Sequence, residues 1–250
     1  MSDQNAAPVD ERAGKVYAPI ERLDGLNDPN RAEMWMHRSR YLLAARRLKG
    51  LTPGNQLRVI DIACGLGYGS KIVAQTRGAH VEGVDISEEA LAYARKNYTT
   101  ADVNFNLGSI TNIDFEDASF DAAICFETIE HLSLSDAQQA MKELYRVLRP
   151  GGKLLISTPN RYFTWVLGLG GMKNEYHLYE FRPQELGKHL QATGFQVTAT
   201  WGQTLVNPVS YVLGRMGHLP PRVFFPSRAL PMEAAMIGIL EARKPATPSI

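Results

Sequence analysis

The sequence predicts an α/β fold, a doubly wound and mostly parallel seven-stranded sheet with an antiparallel hairpin at one edge. Seven short apolar strand patterns occur along the chain, and most are separated by helical patterns, as in successive βαβ units. Val59, Ile60 and Ile62 form a nearly continuous β-branched run, typical of a parallel strand buried on both faces. The last two strand patterns, 195–201 and 234–242, have no helical pattern between them and predict the edge hairpin.

Helical patterns and their end signals separate the other strands. Apolar residues at spacings of three and four predict a helix over 30–49. Ser87 is a predicted N-cap, and Ser135 with Gln138 forms a predicted capping box for the helix that follows the strand pattern at 120–127. A further helix is expected to begin at Pro183 and to end near a glycine.

Length and composition limit the organisation and the class of protein. With 250 residues, 44% of them hydrophobic, the chain suits one α/β domain. We expect a disordered tail over 1–13 and a single domain over 14–250, which begins with a helical extension at 14–55. The net charge of +1 argues against nucleic acid or an anionic membrane as partner.

The cysteines and the hydropathy of the chain indicate the cellular compartment in which the protein is expected. Cys64 and Cys125 lie in or beside buried strand patterns, which suggests reduced thiols in a cytoplasmic protein. The first dozen residues are polar and charged, and no apolar run reaches membrane-spanning length. We therefore expect neither a signal peptide nor a transmembrane segment.

Three alternating glycines follow the first strand pattern. Gly65, Gly67 and Gly69 predict a turn without Cβ atoms, where backbone can approach a ligand closely. The next residues can start a helix, whose N-terminal N–H groups favour the negative end of a ligand. Such a turn alone does not identify the ligand, because dinucleotide enzymes use one too.

Three other residues narrow the choice of ligand. Ser70 stands where the dinucleotide pattern requires its third glycine. Asp61 precedes the turn, where a fixed carboxylate would repel a pyrophosphate but attract an ammonium group. Asp85 ends the second strand pattern and is placed to accept hydrogen bonds from both hydroxyls of a ribose. The implied ligand has a ribose and a cationic amino-acid part, without a diphosphate.

Four motifs occur in order along roughly residues 30–202. They are Asp-Ile-Ala-Cys-Gly-Leu-Gly-Tyr-Gly at 61–69, Gly-Val-Asp at 83–85, Ser-Phe-Asp at 119–121 and Leu-Arg-Pro-Gly-Gly at 148–152. This set resembles the motifs of class I S-adenosylmethionine-dependent methyltransferases. The resemblance implies a Rossmann-like methyltransferase fold and S-adenosylmethionine as cofactor.

The resemblance also implies which residues bind the cofactor. Arg40 matches the arginine ahead of the core that can hold the cofactor's carboxylate in related enzymes, and a solvated arginine is the open alternative. Ser109 replaces an acid that often binds the adenine amino group, while Ile86 and Ile110 could sandwich the ring. The predicted cofactor-binding residues are Arg40, Asp61, Ala63, Gly65, Gly67, Tyr68, Asp85, Ile86, Ser109, Ile110 and Phe126.

A second cluster of polar residues follows the fourth and fifth strand patterns. If the chain turns helical after the fourth, Glu127, Glu130 and His131 share one face, and His177 lies in a loop at the same edge. Two carboxylates and two imidazoles suggest a divalent metal. The arrangement is similar to the metal site of small-RNA 2′-O-methyltransferases, and its first half resembles that of ubiquinone-biosynthesis O-methyltransferases. Carried over, it implies Mg²⁺ bound by these four residues, and mixed nitrogen and oxygen ligands would suit Mn²⁺ or Co²⁺ at least as well.

Two interpretations without a metal remain open. In many class I enzymes the acid caps the following helix and the histidine packs against the cofactor; alternatively, His131 or His177 is a general base. The predicted catalytic residues are Glu130, His131 and His177. The other histidines have no companion motif and are interpreted as surface or packing residues; they are His37, His80, His189 and His218.

The leading hypothesis is O-methylation of a hydroxyl, preferably beside a second oxygen, on a sugar-containing or phenolic small molecule of glycan or natural-product biosynthesis. Alternatives are a metal-independent methyltransferase with an O, N or C acceptor, an NAD-dependent oxidoreductase and a silent cofactor-binding protein. Ser70 and Asp61 argue against the oxidoreductase. Two apolar inserts, 161–181 and 204–231, are interpreted as a lid over the acceptor, with a homodimer interface or a satellite core as alternatives.

Overall fold

The computed structural model describes residues 9–10, 15–16, 26, 31–51, 56–162, 176–205 and 226–246. At the N-terminus, β1 (Val9–Asp10) pairs antiparallel with β2 (Lys15–Val16). The predicted disordered tail over 1–13 otherwise lies outside the described residues, as do most of the two predicted inserts.

Seven further strands form one sheet. They are β3 (Arg58–Ile62), β4 (His80–Asp85), β5 (Val103–Leu107), β6 (Phe120–Cys125), β7 (Leu148–Pro159), β8 (Gln196–Leu205) and β9 (Ala235–Arg243). Their spatial order is β5-β4-β3-β6-β7-β9-β8. The first five strands in this order are parallel, whereas β9 pairs antiparallel with both β7 and β8. The predicted fold class, including the antiparallel edge hairpin, is confirmed.

Within the part of the chain that the structure describes, α-helices connect or precede these strands. They are α1 (Arg31–Arg47), α2 (Tyr68–Arg77), α3 (Glu88–Tyr98), α4 (Leu134–Val147) and α5 (Pro183–Ala192). Two 3₁₀ turns are Ile129–His131 and Met232–Ala234. Within the described part of the chain, none of the helices is both long enough and apolar enough to span a bilayer.

The sheet is covered on both faces, which explains the continuous apolar strand patterns. Val59 belongs to a buried cluster shared with α1, α2 and α3, while its neighbour Ile60 belongs to a second cluster shared with α4 and α5. Adjacent residues of a strand point to opposite faces, so both faces need apolar side chains. The two layers leave the carboxyl ends of β3 to β7 at one common edge of the sheet.

The predicted N-cap of α3 is confirmed, and the predicted N-cap of α4 is wrong. Ser87 caps α3 as predicted, its side chain accepting a hydrogen bond from the Ala90 N–H. The cap of α4 is Ser133, whose Oγ accepts from the Asp136 N–H and donates to the Asp136 carboxylate. The predicted box at Ser135 is therefore wrong by two residues. Ser133 suits this end of the helix because its hydroxyl both accepts from a free helix N–H and donates to the side chain of Asp136.

The glycine turn between β3 and α2 serves packing as well as access. Gly65 and Gly67 have φ values of 55° and 82°, which L side chains rarely adopt. A Cβ at Gly67 would lie 2.6 Å from Phe105 Cζ and 2.8 Å from Ala94 Cβ, whereas a Cβ at Gly65 would meet nothing within 4 Å. Close approach of a ligand therefore concerns Gly65, and Gly67 is required by the packing of β5 and α3.

Gly67→Ala is expected to destabilise the fold by about 2–4 kcal/mol, because a strained backbone and a steric overlap add. Gly78 at the other end of α2 is the matched control, since it also has a positive φ (59°) but open space around its Cβ position. Gly78→Ala should lower the free energy of unfolding by about 1 kcal/mol, because only the backbone conformation is strained. Urea unfolding of both variants measures the difference, and equal losses would contradict the packing argument.

Candidate functional site

A cleft lies at the carboxyl edge of the sheet, where the ends of four parallel strands meet the middle of α1. It encloses about 1060 Å³ of space free of protein atoms, part of it open to solvent. Parallel α/β sheets bind ligands at this edge, because the strand ends and the following helix N-termini present backbone groups there. Of the predicted catalytic and metal-binding residues, Glu127 and His131 also line the cleft, whereas Glu130 and His177 do not.

Most of the predicted cofactor residues line this cleft. They are Arg40, Ala63, Gly65, Tyr68, Asp85, Ile86, Ser109, Ile110 and Phe126. Asp61 and Gly67 do not line it; Gly67 packs against β5 and α3 instead. Their cofactor contacts remain predictions.

Asp85 is held with its carboxylate fixed at the end of β4. One oxygen accepts from the Gly65 N–H at 2.9 Å and the other from the Ser87 N–H at 2.9 Å. These two bonds connect the carboxylate to the glycine turn and to the N-terminus of α3. A carboxylate has about four lone-pair sites, so it can accept hydrogen bonds from more than two donors at once.

Asp61 lies beneath the turn. Its oxygens accept from Ser70 Oγ at 2.6 Å and from Tyr41 Oη at 3.3 Å. Burial raises the pKa of Asp61 to about 7, although both hydrogen bonds act in the opposite direction. Its direct role is to tie α1 and α2 to β3, and its attraction for an ammonium group remains a prediction.

Arg40 is buried in the wall of the cleft, with 1% of its surface exposed, so the interpretation as a solvated arginine is wrong. Its Nη1 donates to Gln203 Oε1 and its Nη2 to His37 Nδ1, both at 2.9 Å. Its Nε is buried and has no hydrogen-bond partner. A buried cation with an unused donor is suited to an anionic ligand.

His37, interpreted from the sequence as a surface or packing residue, also lines the cleft and contacts Arg40 there. Burial, with Arg40 nearby, lowers the pKa of His37 to about 3, and the ring is therefore neutral at ordinary pH. Because Nδ1 accepts from Arg40, the proton of the neutral ring is on Nε2.

His80 and His189, two of the histidines without a companion motif, make packing or surface contacts. His80 Nε2 lies 2.8 Å from Glu82, and the ring of His189 packs edge-on against Phe181. His218 lies outside the described residues.

At the acceptor end of the cleft, β6 ends at Cys125, two residues before the predicted end at Glu127. The chain does not turn into a longer helix there but into the short 3₁₀ turn at Ile129–His131. Glu127 has a φ of 48°, a conformation that a side chain normally avoids. The Glu127 N–H donates to Ser157 Oγ at 3.1 Å, and Ser157 Oγ donates to Glu127 Oε1 at 2.6 Å. Ser157 thus holds this strained residue from the neighbouring strand.

The remaining predicted metal ligands do come together. Glu130, His131 and His177 each offer a ligand atom, and these atoms lie within 4.8 Å of one another. Glu127 does not belong to this group, because its carboxylate is directed to Ser157. Three of the four predicted ligands therefore form one cluster.

Glu130 is the least solvated member of this cluster. It is 1% exposed, and its Oε2 is buried with no hydrogen-bond partner. Burial, reinforced by the charge of Glu127, raises its pKa well above the ordinary value. A buried carboxylate oxygen without a donor is costly, so the site favours a cation or a proton at this atom.

Both imidazoles are oriented by hydrogen bonds at Nδ1. His131 Nδ1 donates to the Tyr176 carbonyl oxygen at 3.1 Å, and His177 Nδ1 donates to Glu180 Oε1 at 2.7 Å. The rings are perpendicular, with centroids 4.9 Å apart. Burial, together with His177, lowers the pKa of His131 to about 4. The Nε2 atom of the neutral His131 ring then carries a lone pair, the arrangement usual for metal-binding histidines.

The comparisons with known proteins agree with this architecture. A family profile described as a methyltransferase domain matches residues 60–156. A probable S-adenosylmethionine-dependent methyltransferase of Mycolicibacterium smegmatis is 38% identical over 144 residues, which are 58% of this chain and 54% of the relative. The chain spans about half the length of the mycobacterial relatives it matches.

Two further comparisons extend over more of their counterparts. A ubiquinone biosynthesis O-methyltransferase of Rhizobium leguminosarum is 33% identical over 174 residues, covering 65% of this chain and 68% of the relative. The crystal structure of a methyltransferase from Thermotoga maritima, described as a possible histamine N-methyltransferase, superposes with a TM-score of 0.59 and 24% identity. It covers 86% of this chain and 95% of the other, and this likeness concerns the fold alone. S-adenosylmethionine is the cofactor of such enzymes, and the chain belongs to the class I S-adenosylmethionine-dependent methyltransferase family.

Proposed function

We propose that the protein transfers a methyl group from S-adenosylmethionine to a hydroxyl oxygen of a small molecule, at a site where a divalent cation is held by Glu130, His131 and His177. The observation that carries the metal is the unpartnered Oε2 of buried Glu130, clustered with two imidazoles whose Nδ1 atoms are already used. This donor set fits a divalent cation, with Mn²⁺ at least as suitable as Mg²⁺ because two ligands are nitrogens.

The cofactor half of the cleft would bind the nucleoside and the amino-acid part separately. Asp85 would accept hydrogen bonds from the ribose hydroxyls, since its carboxylate is fixed by two backbone N–H groups. Arg40 would bind the carboxylate through its unused Nε, and Ile86 and Ile110 would contact the adenine ring. Such a fixed arrangement places the methyl donor before the acceptor arrives.

At the acceptor end, the residues would orient a hydroxyl and receive its proton. A bound cation would supply Lewis acidity, which lowers the pKa of a hydroxyl and fixes its direction. Glu127 lines the same part of the cleft and can accept a hydrogen bond from the acceptor. Phe126 and Leu132 give the wall apolar surface, which helps to exclude water from the transfer step.

An alternative for the same cleft is a metal-independent transfer to oxygen, nitrogen or carbon. It is supported by the place of His131 in the cleft wall, where Nδ1 is bonded to the Tyr176 carbonyl oxygen and Nε2 can accept a proton from the acceptor. The metal-assisted and the metal-independent hypotheses can be distinguished by whether methyl transfer requires a cation.

The proposed acceptor is a sugar-containing or phenolic hydroxyl compound. The R. leguminosarum relative, by its name an O-methyltransferase, supports oxygen as the acceptor atom. The net charge of +1 supports a small molecule rather than nucleic acid, and the two buried free cysteines support a cytoplasmic location. A homodimer, with the inserts as interface or lid, belongs to the same proposal.

Thermal unfolding with S-adenosylmethionine, S-adenosylhomocysteine and NAD, each with EDTA, Mg²⁺ or Mn²⁺, tests this proposal. At 100 times its Kd, each adenosyl ligand should stabilise the folded protein by about 2.7 kcal/mol and raise the Tm by several degrees. NAD should have no effect on the Tm. Mn²⁺ should raise the Tm further. Full methyl transfer in excess EDTA would favour the histidine base, whereas protection by NAD alone would contradict methyl transfer.

A further inference from the structure

We infer that Gln203 is a positioning residue, which holds Arg40 toward the carboxylate of the cofactor without neutralising the charge of the guanidinium. This inference rests on the proposed cofactor site. It adds a residue outside the methyltransferase motifs, at the end of the sheet's edge strand β8.

Three hydrogen bonds of the Gln203 side chain reach α1. Its side chain is fully buried, and its Oε1 accepts from Arg40 Nη1 at 2.9 Å. Its Nε2 donates to the Met36 carbonyl oxygen at 2.9 Å and to Ser39 Oγ at 2.8 Å. An amide with both ends engaged has one orientation, so the oxygen is directed to Arg40. The guanidinium is thereby fixed on one side, and on the other its Nη2 is fixed by His37.

No carboxylate is hydrogen-bonded to Arg40 within the described part of the chain; its partners are the neutral amide of Gln203 and the imidazole of His37. Glu130 is close enough for its charge to interact with the guanidinium, but its pKa is raised by burial, which favours its neutral form. A buried cation without a directly bonded counter-charge is costly, and it usually has an anionic partner. The unpartnered Nε in the cleft wall indicates where that partner would bind. The amino-acid carboxylate of the cofactor has the required charge and acceptor geometry.

The sheet topology explains why an edge strand can take this role. β8 is antiparallel to β9, which is antiparallel to β7, so β8 runs in the same direction as the parallel strands. Its last residues therefore reach the edge where the cleft lies. Thr204, with a φ of 59°, follows Gln203, and its Oγ1 contacts Met36 Sδ at 3.5 Å. The end of β8 is thus attached to the turn of α1 that carries His37 and Arg40.

The test replaces Gln203 by glutamate, which keeps the size and the acceptor but adds the missing counter-charge. The probes are S-adenosylmethionine and decarboxylated S-adenosylmethionine, which differ only in the carboxylate, and binding is measured by calorimetry. In the unmodified protein, loss of the carboxylate is expected to weaken binding about tenfold to a hundredfold. In Gln203→Glu the two ligands should bind within about threefold of each other, because Arg40 is already neutralised.

Gln196→Glu is the matched control, since it makes the same change at an exposed position at the start of the same strand. It should preserve the preference for the carboxylate. If Gln203→Glu does not fold, Gln203→Met keeps the side chain neutral and removes the acceptor. It should weaken S-adenosylmethionine binding about threefold to tenfold and leave the decarboxylated ligand unaffected.

The outcomes separate the inference from the proposed function. If the unmodified protein binds neither ligand, the proposed cofactor site is wrong. If it binds both and the Gln203 variant that folds keeps the full preference for the carboxylate, or loses affinity for both ligands equally, Gln203 does not position Arg40 for a carboxylate.

Discussion

Replacing Glu130 by glutamine is expected to abolish the effect of Mn²⁺ on the Tm and to lower turnover by about two to four orders of magnitude, the range for removing a group that acts on the reacting atoms. The amide keeps the shape of the side chain but has lost the charge that a divalent cation requires. Because Glu130 is buried with its pKa raised well above the ordinary value, an uncharged replacement should not disturb the fold. S-adenosylmethionine affinity should change less than about threefold, since Arg40 and Asp85 are unaltered.

His177→Ala should reproduce these effects, because it removes the second ligand atom and leaves Glu130 in place. The control is Glu116→Gln, the same loss of charge at an exposed site. Thermal unfolding with and without Mn²⁺, together with calorimetric titration of S-adenosylmethionine, separates metal binding from cofactor binding. If Glu130→Gln retains the full response to Mn²⁺, the cluster of Glu130, His131 and His177 is not the metal site.

The order of strands and helices is predictable from the sequence because each pattern is local. In β3, Val59 and Ile60 are both apolar, and they pack on opposite faces of the sheet, as a strand covered by helices on both sides requires. The cap of α4 shows the limit of such patterns. Ser133 and Ser135 are both acceptable N-caps by type, and only the position at which the chain leaves the preceding turn decides between them.

The cluster at the acceptor end is predictable only in part. Glu130 and His131 are adjacent in sequence and follow a buried strand, so their place at the carboxyl edge follows from the strand alone. The direction of Glu127 depends on its positive φ and on Ser157, which is thirty residues away. No local pattern indicates that a non-glycine residue takes this conformation.

Of the two residues that hold Arg40, one could be predicted from a local sequence pattern and the other could not. His37 precedes Arg40 by three residues on a helix, a spacing that places the two side chains on one face, and this signal was available in the sequence. Gln203 is separated from Arg40 by 163 positions. Because β8 is added to the sheet through the antiparallel hairpin, its contact with α1 follows from the three-dimensional topology and not from a motif.

Asp85→Asn is expected to weaken S-adenosylmethionine binding about a hundredfold, or roughly 3 kcal/mol. The carboxylate accepts from the Gly65 and Ser87 N–H groups at the same time, and in the proposed complex it also accepts from the ribose. An amide has only one accepting oxygen, so its NH₂ group must face one of these backbone donors. The variant therefore loses ligand bonds and also loosens the glycine turn.

The loosened turn should appear as a lower Tm of the ligand-free protein, by a few degrees. Glu89→Gln, an exposed residue in the first turn of α3, is the control for loss of charge near this edge. Calorimetry with S-adenosylhomocysteine tests the ribose contact without the chemical step, and it should show the same hundredfold loss as the cofactor itself, because the two share the nucleoside. If folded Asp85→Asn binds both ligands as tightly as the unmodified protein, the ribose is bound elsewhere. The carboxylate of Asp85 would then serve only to join the turn to α3.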